Sequence, residues 1–136
     1  MKIFTILTLI LMSINISSFS QNAEADGKKA QELFNKANNL KQTYQFDEAL
    51  KSFSEAADLY KKYPDKYTGN YLSCRYAVAD IYLLQNKFNE SKTIFDEIET
   101  LSVQKFGEGN QFLRYIYSGK ASILLAKGKN LIYQER

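Results

Sequence analysis

Apolar residues recur at spacings of three and four through most of the chain beyond residue 30. In residues 46–60 the members of one such series are Phe46, Ala49, Leu50, Phe53, Ala56, Ala57 and Tyr60. These spacings place the side chains on one face of an α-helix, which we expect to be buried. The same period predicts helices at about residues 24–43, 46–63, 70–86, 88–105 and 110–127, with the start of a further helix at 129.

Short links join the helices of each predicted pair. Residues 44–45 and 86–87 are the links, and two residues are few enough to place the joined helices side by side and antiparallel. The chain has one proline and six glycines, so most of it has no helix breaker. Together these features predict an all-α fold.

Longer links separate one predicted pair from the next. Residues 64–69 begin with a proline and end with a glycine, and residues 107–109 contain two glycines. Proline cannot continue a preceding helix, and glycine permits the positive φ that a chain reversal often needs. Asn70 and Asn110 follow the two links, at positions where we expect them to cap helix N-termini.

The sequence repeats itself after 42 residues. Identical residues at this interval include Ala37 and Ala79, Phe46 and Phe88, Glu48 and Glu90, Phe53 and Phe95, and Glu55 and Glu97. A second shift pairs Ala79 with Ala121, Ile81 with Ile123, and Leu83 with Leu125. Such self-similarity is typical of stacked helical hairpins, and it predicts units at about residues 28–69 and 70–109 and an incomplete unit at 110–136. Ala49 and Ser91 are equivalent small residues that let paired helices approach to about 8–9 Å.

The repeat resembles the tetratricopeptide repeat, a helix–turn–helix unit that stacks into a right-handed superhelix. The residues that carry the resemblance are Ala37, Leu40, Phe46, Ala49, Phe53 and Ala56 in the first unit, and Ala79, Tyr82, Phe88, Ser91, Phe95 and Ile98 in the second. The 42-residue interval is similar to the longer subtype of kinesin light chains and of exported bacterial repeat proteins. Ile98 departs from the pattern, which has a small residue there. The resemblance implies an α-solenoid of about two and a half units.

Residues 1–20 follow a different pattern. Lys2 precedes an apolar run over residues 3–12, and the small residues Ser18 and Ser20 come later. This order is typical of a signal peptide that is cleaved after Ser20, which leaves residues 21–136 as the repeat domain. A membrane anchor is the alternative, but the apolar run is shorter than the roughly 20 residues that span a bilayer. We therefore expect an exported chain, periplasmic or secreted, without a stable membrane span after cleavage.

The composition offers little for catalysis or for metal binding. The chain has no histidine, which excludes Ser–His–Asp and Cys–His arrangements, and Cys74 is its only cysteine. One cysteine and scattered carboxylates do not make a zinc site. The net charge of +3 is spread along the chain, so nucleic acid is not an expected partner, and RNA binding through the tyrosine-rich helices is a minor alternative. We predict no catalytic, metal-binding or cofactor-binding residues.

The resemblance implies a binding groove along the first helices of the units. The residues at the corresponding positions are Phe34, Asn38, Lys41, Tyr76, Asp80, Leu83, Ser118, Ser122 and Leu125, with Tyr115 at the edge. Such a groove would take an extended or helical peptide. The alternative is that Phe34, Tyr76 and Leu83 only pack neighbouring helices. Asp80 would repel a ligand that presents a terminal carboxylate.

The last predicted helices leave an apolar surface without an obvious cover. The residues concerned are Leu124, Leu125, Leu131, Ile132 and Tyr133. A helical array needs a polar terminal helix to cover its last apolar face. Either the chain is the front of a longer protein, or this end docks on a partner or on a second copy.

Two functions from different classes follow. The first is a non-enzymatic scaffold that binds a protein or peptide in the groove. The second is the N-terminal sensory or regulatory region of a longer enzyme, such as a protease or a sensor kinase, whose catalytic part lies beyond Arg136.

Overall fold

The computed structural model describes the backbone of residues 2–134 and the side chains of residues 19–129. Within this part it contains five α-helices and no β-strand: α1 (Lys2–Gln42), α2 (Phe46–Lys61), α3 (Pro64–Leu84), α4 (Phe88–Phe106) and α5 (Gln111–Gln134). Each helix packs against the next one along the chain. The all-α prediction is therefore confirmed for the described residues.

Side-chain contacts define the direction of each helix. The end of α2 reaches back to the middle of α1, where Lys62 forms an ion pair with Asp26 at 3.1 Å. In the same way Glu97 of α4 accepts a hydrogen bond from Tyr71 near the start of α3. Consecutive helices are thus antiparallel, as the short links predict.

The alternate helices α1, α3 and α5 run parallel to one another. Tyr67, early in α3, donates a hydrogen bond to the carbonyl of Ala23 in α1, while Asp80, late in α3, pairs with Lys41 near the end of α1. Between α3 and α5, the rings of Tyr76 and Tyr115 lie 6.4 Å apart. Three parallel helices therefore form one side of the molecule.

The core lies between the paired helices. Phe53 and Phe95 are fully buried, and so are the alanines that allow the helices to approach, Ala49 and Ala79. Ser91 is also fully buried, and its hydroxyl donates a 2.8 Å hydrogen bond to the carbonyl of Ala79. Ser91 therefore has the small size predicted at this position, and its buried hydroxyl has the hydrogen-bond partner that burial requires.

The turns within the two complete pairs have the same hydrogen bonds, 42 residues apart. The amide of Gln45 donates to the carbonyl of Leu40 at 2.9 Å, and that of Lys87 donates to the carbonyl of Tyr82 at 2.8 Å. Tyr44 and Asn86, which precede the two donors, both have a φ of 60°. This pattern is the Schellman motif, in which a left-handed residue closes the end of a helix. The sequence repeat is therefore also a repeat of backbone geometry.

The start of α3 differs from the prediction. The helix begins at Pro64, because a proline at the first helical position needs no hydrogen bond from its nitrogen. Tyr67 has non-helical angles (φ −125°, ψ 17°), so the helix is kinked there. Gly69 and Asn70 consequently lie inside α3, and the prediction that Asn70 is an N-cap is wrong. Asn110 does cap α5, since its side-chain oxygen accepts the amide N–H of Phe112 at 3.0 Å.

The ends of the chain also differ from the predicted boundaries. The predicted break before residue 129 is wrong, because α5 continues through Gly128 to Gln134. One glycine lowers helix stability by about 1 kcal/mol without ending a helix. At the other end α1 begins at Lys2, whereas the predicted signal peptide lies almost wholly outside the described side chains and stays a prediction. No helix in the described part of the chain has an apolar stretch of the length that a membrane crossing requires.

Candidate binding groove

A groove of about 420 Å³ lies on the side formed by α1, α3 and α5, and we call it the inner groove. Its lining residues are Phe34, Asn38 and Lys41 from α1, Leu72, Ser73, Tyr76 and Ala77 from α3, Ile98 from α4, and Gln111, Phe112, Tyr115 and Ile116 from α5. Most of these side chains are apolar or aromatic. The volume is within the range of roughly 300–1,000 Å³ that is usual for ligand sites.

The aromatic lining is held by the core beneath it. The ring of Phe34 contacts that of Phe53 edge to face, with centroids 5.4 Å apart. The ring of Tyr76 lies between Phe95 at 5.7 Å and Tyr115 at 6.4 Å. Tyr115 itself is 54% exposed. Phe34 and Tyr76 therefore pack neighbouring helices and also form part of the groove wall.

Polar groups of the inner groove are only partly used by the protein itself. The amide nitrogen of Asn38 donates to the carbonyl of Phe34 at 3.1 Å, so its side-chain oxygen can still accept a hydrogen bond. Ser73 donates to the carbonyl of Gly69 at 3.0 Å. Gln111 is exposed at the α5 wall. An amide offers both a donor and an acceptor, which suits recognition of a peptide backbone.

The charge at one end of the inner groove is balanced. Lys41 lines the groove and forms a half-buried ion pair with Asp80 of α3. Burial is the main cause that raises the pKa of Tyr76, and the nearby charge of Asp80 raises it further. The Tyr76 hydroxyl is therefore neutral at physiological pH and can donate a hydrogen bond.

The structure brings together some of the predicted groove residues and separates others. Phe34, Asn38, Lys41 and Tyr76 line the inner groove, and Asp80 adjoins it through Lys41. Leu83 is partly buried against the core. The three predicted residues of α5 lie elsewhere: Ser118 is exposed, Ser122 is half-buried, and Leu125 is 68% exposed.

The position of Ser118 has a physical cause. Ser118 corresponds to Tyr76 of α3, whose ring lies against Tyr115 of the following first helix. Within the described residues α5 has no following first helix, so Ser118 faces solvent. The α5 wall of the groove is instead the face that looks back at α3, with Gln111, Phe112 and Tyr115. The aromatic spacing of three between Phe112 and Tyr115 could have indicated this face from the sequence.

A second groove of about 460 Å³ lies between α2, α3 and α4, and we call it the outer groove. Glu97 is part of its wall and accepts hydrogen bonds from Tyr71 at 2.8 Å and from Arg75 at 2.5 Å. Burial raises the pKa of Glu97, but the hydrogen bonds from Arg75 and Tyr71 outweigh it and lower the pKa overall. These contacts join α3 to α4, so Glu97 and Tyr71 of the outer groove already have partners.

Cys74, the chain's one cysteine, lines neither groove. Cys74 is fully buried, and burial raises the pKa of its thiol to about 12. Among the described residues no three Cys, Asp or Glu side chains come together as metal ligands. The inner groove offers aromatic and amide side chains that can contact a bound molecule. Comparison with protein-family models, with curated proteins and with solved structures finds no match to this chain.

Proposed function

We propose that this chain is a helical-repeat protein of the tetratricopeptide type, an α-solenoid that binds a protein or peptide segment in its inner groove. Two structural features support the assignment. The turns of the two complete units share their hydrogen bonds at an interval of 42 residues. The first helices of the units, α1, α3 and α5, run parallel along one side of the molecule.

The observation that carries the proposal is the inner groove itself. It combines four aromatic rings, those of Phe34, Tyr76, Phe112 and Tyr115, with the side-chain amides of Asn38 and Gln111. Exposed aromatic side chains at a concave surface are typical anchors of protein recognition. The rings supply apolar contact area, while the amides pair with the backbone of a bound segment.

The charge of the inner groove restricts the ligand. Lys41 is the single charged residue in the lining, and it is already paired with Asp80. A ligand charge of either sign would have to displace this pair or be buried without a partner, and both are unfavourable. We therefore expect a segment with apolar or aromatic side chains and no charged group at the Lys41 end.

The test uses a library of random peptides displayed on phage, selected on the full chain. Binding of a selected peptide is then measured by fluorescence anisotropy against two single variants of α5. Tyr115→Ala removes an aromatic ring of the inner groove, and we expect it to weaken binding by about 10-fold or more. Tyr117→Ala is the matched control, since Tyr117 is 50% exposed on the same helix but is not part of the groove.

The outcome of this comparison decides the proposal. Binding that weakens with Tyr115→Ala and not with Tyr117→Ala supports the inner groove as the site. Equal affinity of both variants and the wild type, or a selection that yields no binding peptide, would refute it. A helical circular dichroism spectrum of each variant excludes unfolding as the cause.

Export and the absence of enzymatic activity belong to the same proposal. They are supported by the signal-peptide pattern of residues 1–20 and by the lack of histidine. N-terminal sequencing of the secreted or periplasmic protein tests export, and a mature chain that begins at Gln21 is the expected result. The regulatory region of a longer enzyme stays a prediction, which an open reading frame beyond Arg136 would favour.

A further inference from the structure

A small pocket adjoins the inner groove at the end away from Lys41, and we call it the side pocket. It is lined by Gln31 and Phe34 of α1, Tyr60 of α2, and Asn70 and Ser73 of α3. Phe34 and Ser73 also line the inner groove, so the two spaces share a wall. The side pocket has a volume of about 100 Å³, which equals that of about three water molecules in the liquid.

The polar groups of the side pocket both donate and accept hydrogen bonds. The carboxamide of Gln31 donates to Asn35 at 3.0 Å, which leaves its second N–H for another partner. The hydroxyl of Ser73 donates to the carbonyl of Gly69, so its oxygen can accept. Asn70 is exposed at the pocket wall and carries both donors and an acceptor on one side chain. A ligand group that itself both donates and accepts would match this set.

Tyr60 supplies the buried part of the wall. The residue is only 2% exposed, and its hydroxyl donates to the side-chain oxygen of Gln31 at 3.4 Å. O–H···O hydrogen bonds are usually about 2.5–3.0 Å long, so this contact is a weak one. Burial raises the pKa of Tyr60, so the hydroxyl keeps its proton at physiological pH. A buried hydroxyl with a weak partner is stabilised by a closer acceptor, and the side pocket has room for one.

The five residues that line the side pocket are all uncharged. Lys41, the charged residue of the inner groove, lies ten residues from Gln31, about 15 Å along α1, and is paired with Asp80. A carboxylate or an ammonium group in the side pocket would therefore lose water without gaining a counter-charge, which is unfavourable. A neutral carboxamide avoids this cost. It has three non-hydrogen atoms, and it both donates and accepts hydrogen bonds.

We propose, on the basis of the proposed peptide binding, that the side pocket holds the side-chain carboxamide of an asparagine or glutamine in the bound segment. On α1 the inner groove spans residues 34–41 and the side pocket spans residues 31–34, so their midpoints lie about 7.5 Å apart. In an extended peptide, side chains two residues apart point to the same side and are separated by about 7 Å. The carboxamide therefore lies two residues from the side chain that occupies the inner groove, in either chain direction.

Phage selection on the full chain tests this preference. The peptide library fixes one tyrosine and randomises the positions on both sides of it. We expect asparagine or glutamine to be enriched two positions from the tyrosine, and charged residues to be depleted there. A selected peptide is then compared by fluorescence anisotropy with its acidic analogue, asparagine to aspartate or glutamine to glutamate. The two peptides have nearly the same shape, so the added charge should weaken binding about 10-fold or more.

A pair of chain variants locates the preference in the side pocket. An alanine analogue of the selected peptide should bind the wild-type chain about 3–10-fold more weakly than the amide peptide. Asn70→Ala removes a carboxamide that lines the side pocket alone, and it should reduce this preference at least about 2-fold. Asn39→Ala is the matched control, since Asn39 is an exposed asparagine of α1 that lines neither space, and it should leave the preference unchanged.

The outcomes separate the side pocket from the inner groove. Peptides that need Tyr115 for binding but carry no amide two residues from the tyrosine would overturn the side pocket alone. A preference that Asn70→Ala leaves unchanged would do the same, and in both cases peptide binding in the inner groove would stand. A selection without any binding peptide, or binding that is indifferent to Tyr115→Ala, would overturn both proposals.

Discussion

Gly119 of α5 is the position where the packing of the last helix can be tested most directly. A β-carbon added at Gly119 would lie 2.3 Å from Cζ of Phe95 and 2.8 Å from both of its ε-carbons. Carbon atoms in favourable contact are about 3.5–4.0 Å apart. Either the ring or the helix must therefore move by about 1 Å when the methyl group is added.

The ring of Phe95 has little freedom to move. Phe95 is fully buried, and Tyr76 packs against it with a centroid separation of 5.7 Å. Overpacking of this kind destabilises proteins by about 1–3 kcal/mol. The change from glycine to alanine also favours the helix by about 1 kcal/mol. Because the contact lies far below the van der Waals distance, we expect the steric effect to dominate and Gly119→Ala to lower the free energy of unfolding by about 1–2 kcal/mol.

Gly128 of the same helix provides the matched control. A β-carbon at Gly128 has no neighbouring atom within 4 Å, so only the helix propensity acts there. Gly128→Ala should raise the free energy of unfolding by about 0.5–1 kcal/mol. The same substitution is thus expected to have opposite signs at two positions nine residues apart.

Urea unfolding followed by circular dichroism at 222 nm measures both variants. A third variant, Phe95→Leu, replaces the aromatic ring by a smaller aliphatic side chain. In that background Gly119→Ala should no longer destabilise the protein, which corresponds to a coupling energy of about 1 kcal/mol or more between the two positions. A Gly119→Ala chain as stable as the wild type would refute the close packing of α5 on α4. A destabilisation that persists unchanged with Phe95→Leu would refute the assigned cause.

Three further predictions concern stability and reactivity. Asn110→Ala removes the cap of α5 and should lower the free energy of unfolding by about 1 kcal/mol, measured by the same urea titration. Hydrogen bonds from Lys120 lower the pKa of Asp96 and of Glu99. These two carboxylates therefore stabilise the folded chain fully above about pH 4.5, and their contribution is lost as the pH falls through their lowered pKa values. Lys120→Met should therefore flatten the fall in unfolding free energy between about pH 5 and pH 3, and an unchanged slope would contradict this. Cys74 should react with a thiol reagent at pH 8 only after unfolding in urea, because burial raises its pKa to about 12; rapid reaction of the folded chain would contradict the structure.

The helices and the core could be predicted from the sequence because their signals are local. The spacing of Phe46, Ala49 and Phe53 identifies a buried helix face without knowledge of its partner. The cap at Asn110 and the positive φ of Gly107 and Gly109 also follow from chemistry within a few residues. The 42-residue repeat predicts which helices pair, since a two-residue link leaves them no alternative.

Other local signals were ambiguous, and the sequence alone did not decide between them. Pro64 can follow the end of one helix or begin the next, and here it begins α3. The kink at Tyr67 allows that ring to reach the carbonyl of Ala23 on α1, a contact between residues 44 positions apart. Gly128 could have ended α5 or continued it, and it continues the helix.

The amino-acid sequence by itself determined that this chain folds into antiparallel helix pairs with Phe53 and Phe95 at their centre. Only the tertiary structure decided which residues meet across α1, α3 and α5: the pairing of Lys41 with Asp80, and the use of Phe112 and Tyr115 rather than Ser118 and Leu125 in the inner groove. The reason is physical. Helical periodicity depends on neighbours three or four residues apart, whereas a groove depends on how separate helices are placed relative to one another, and that placement is set by the packing of the whole array.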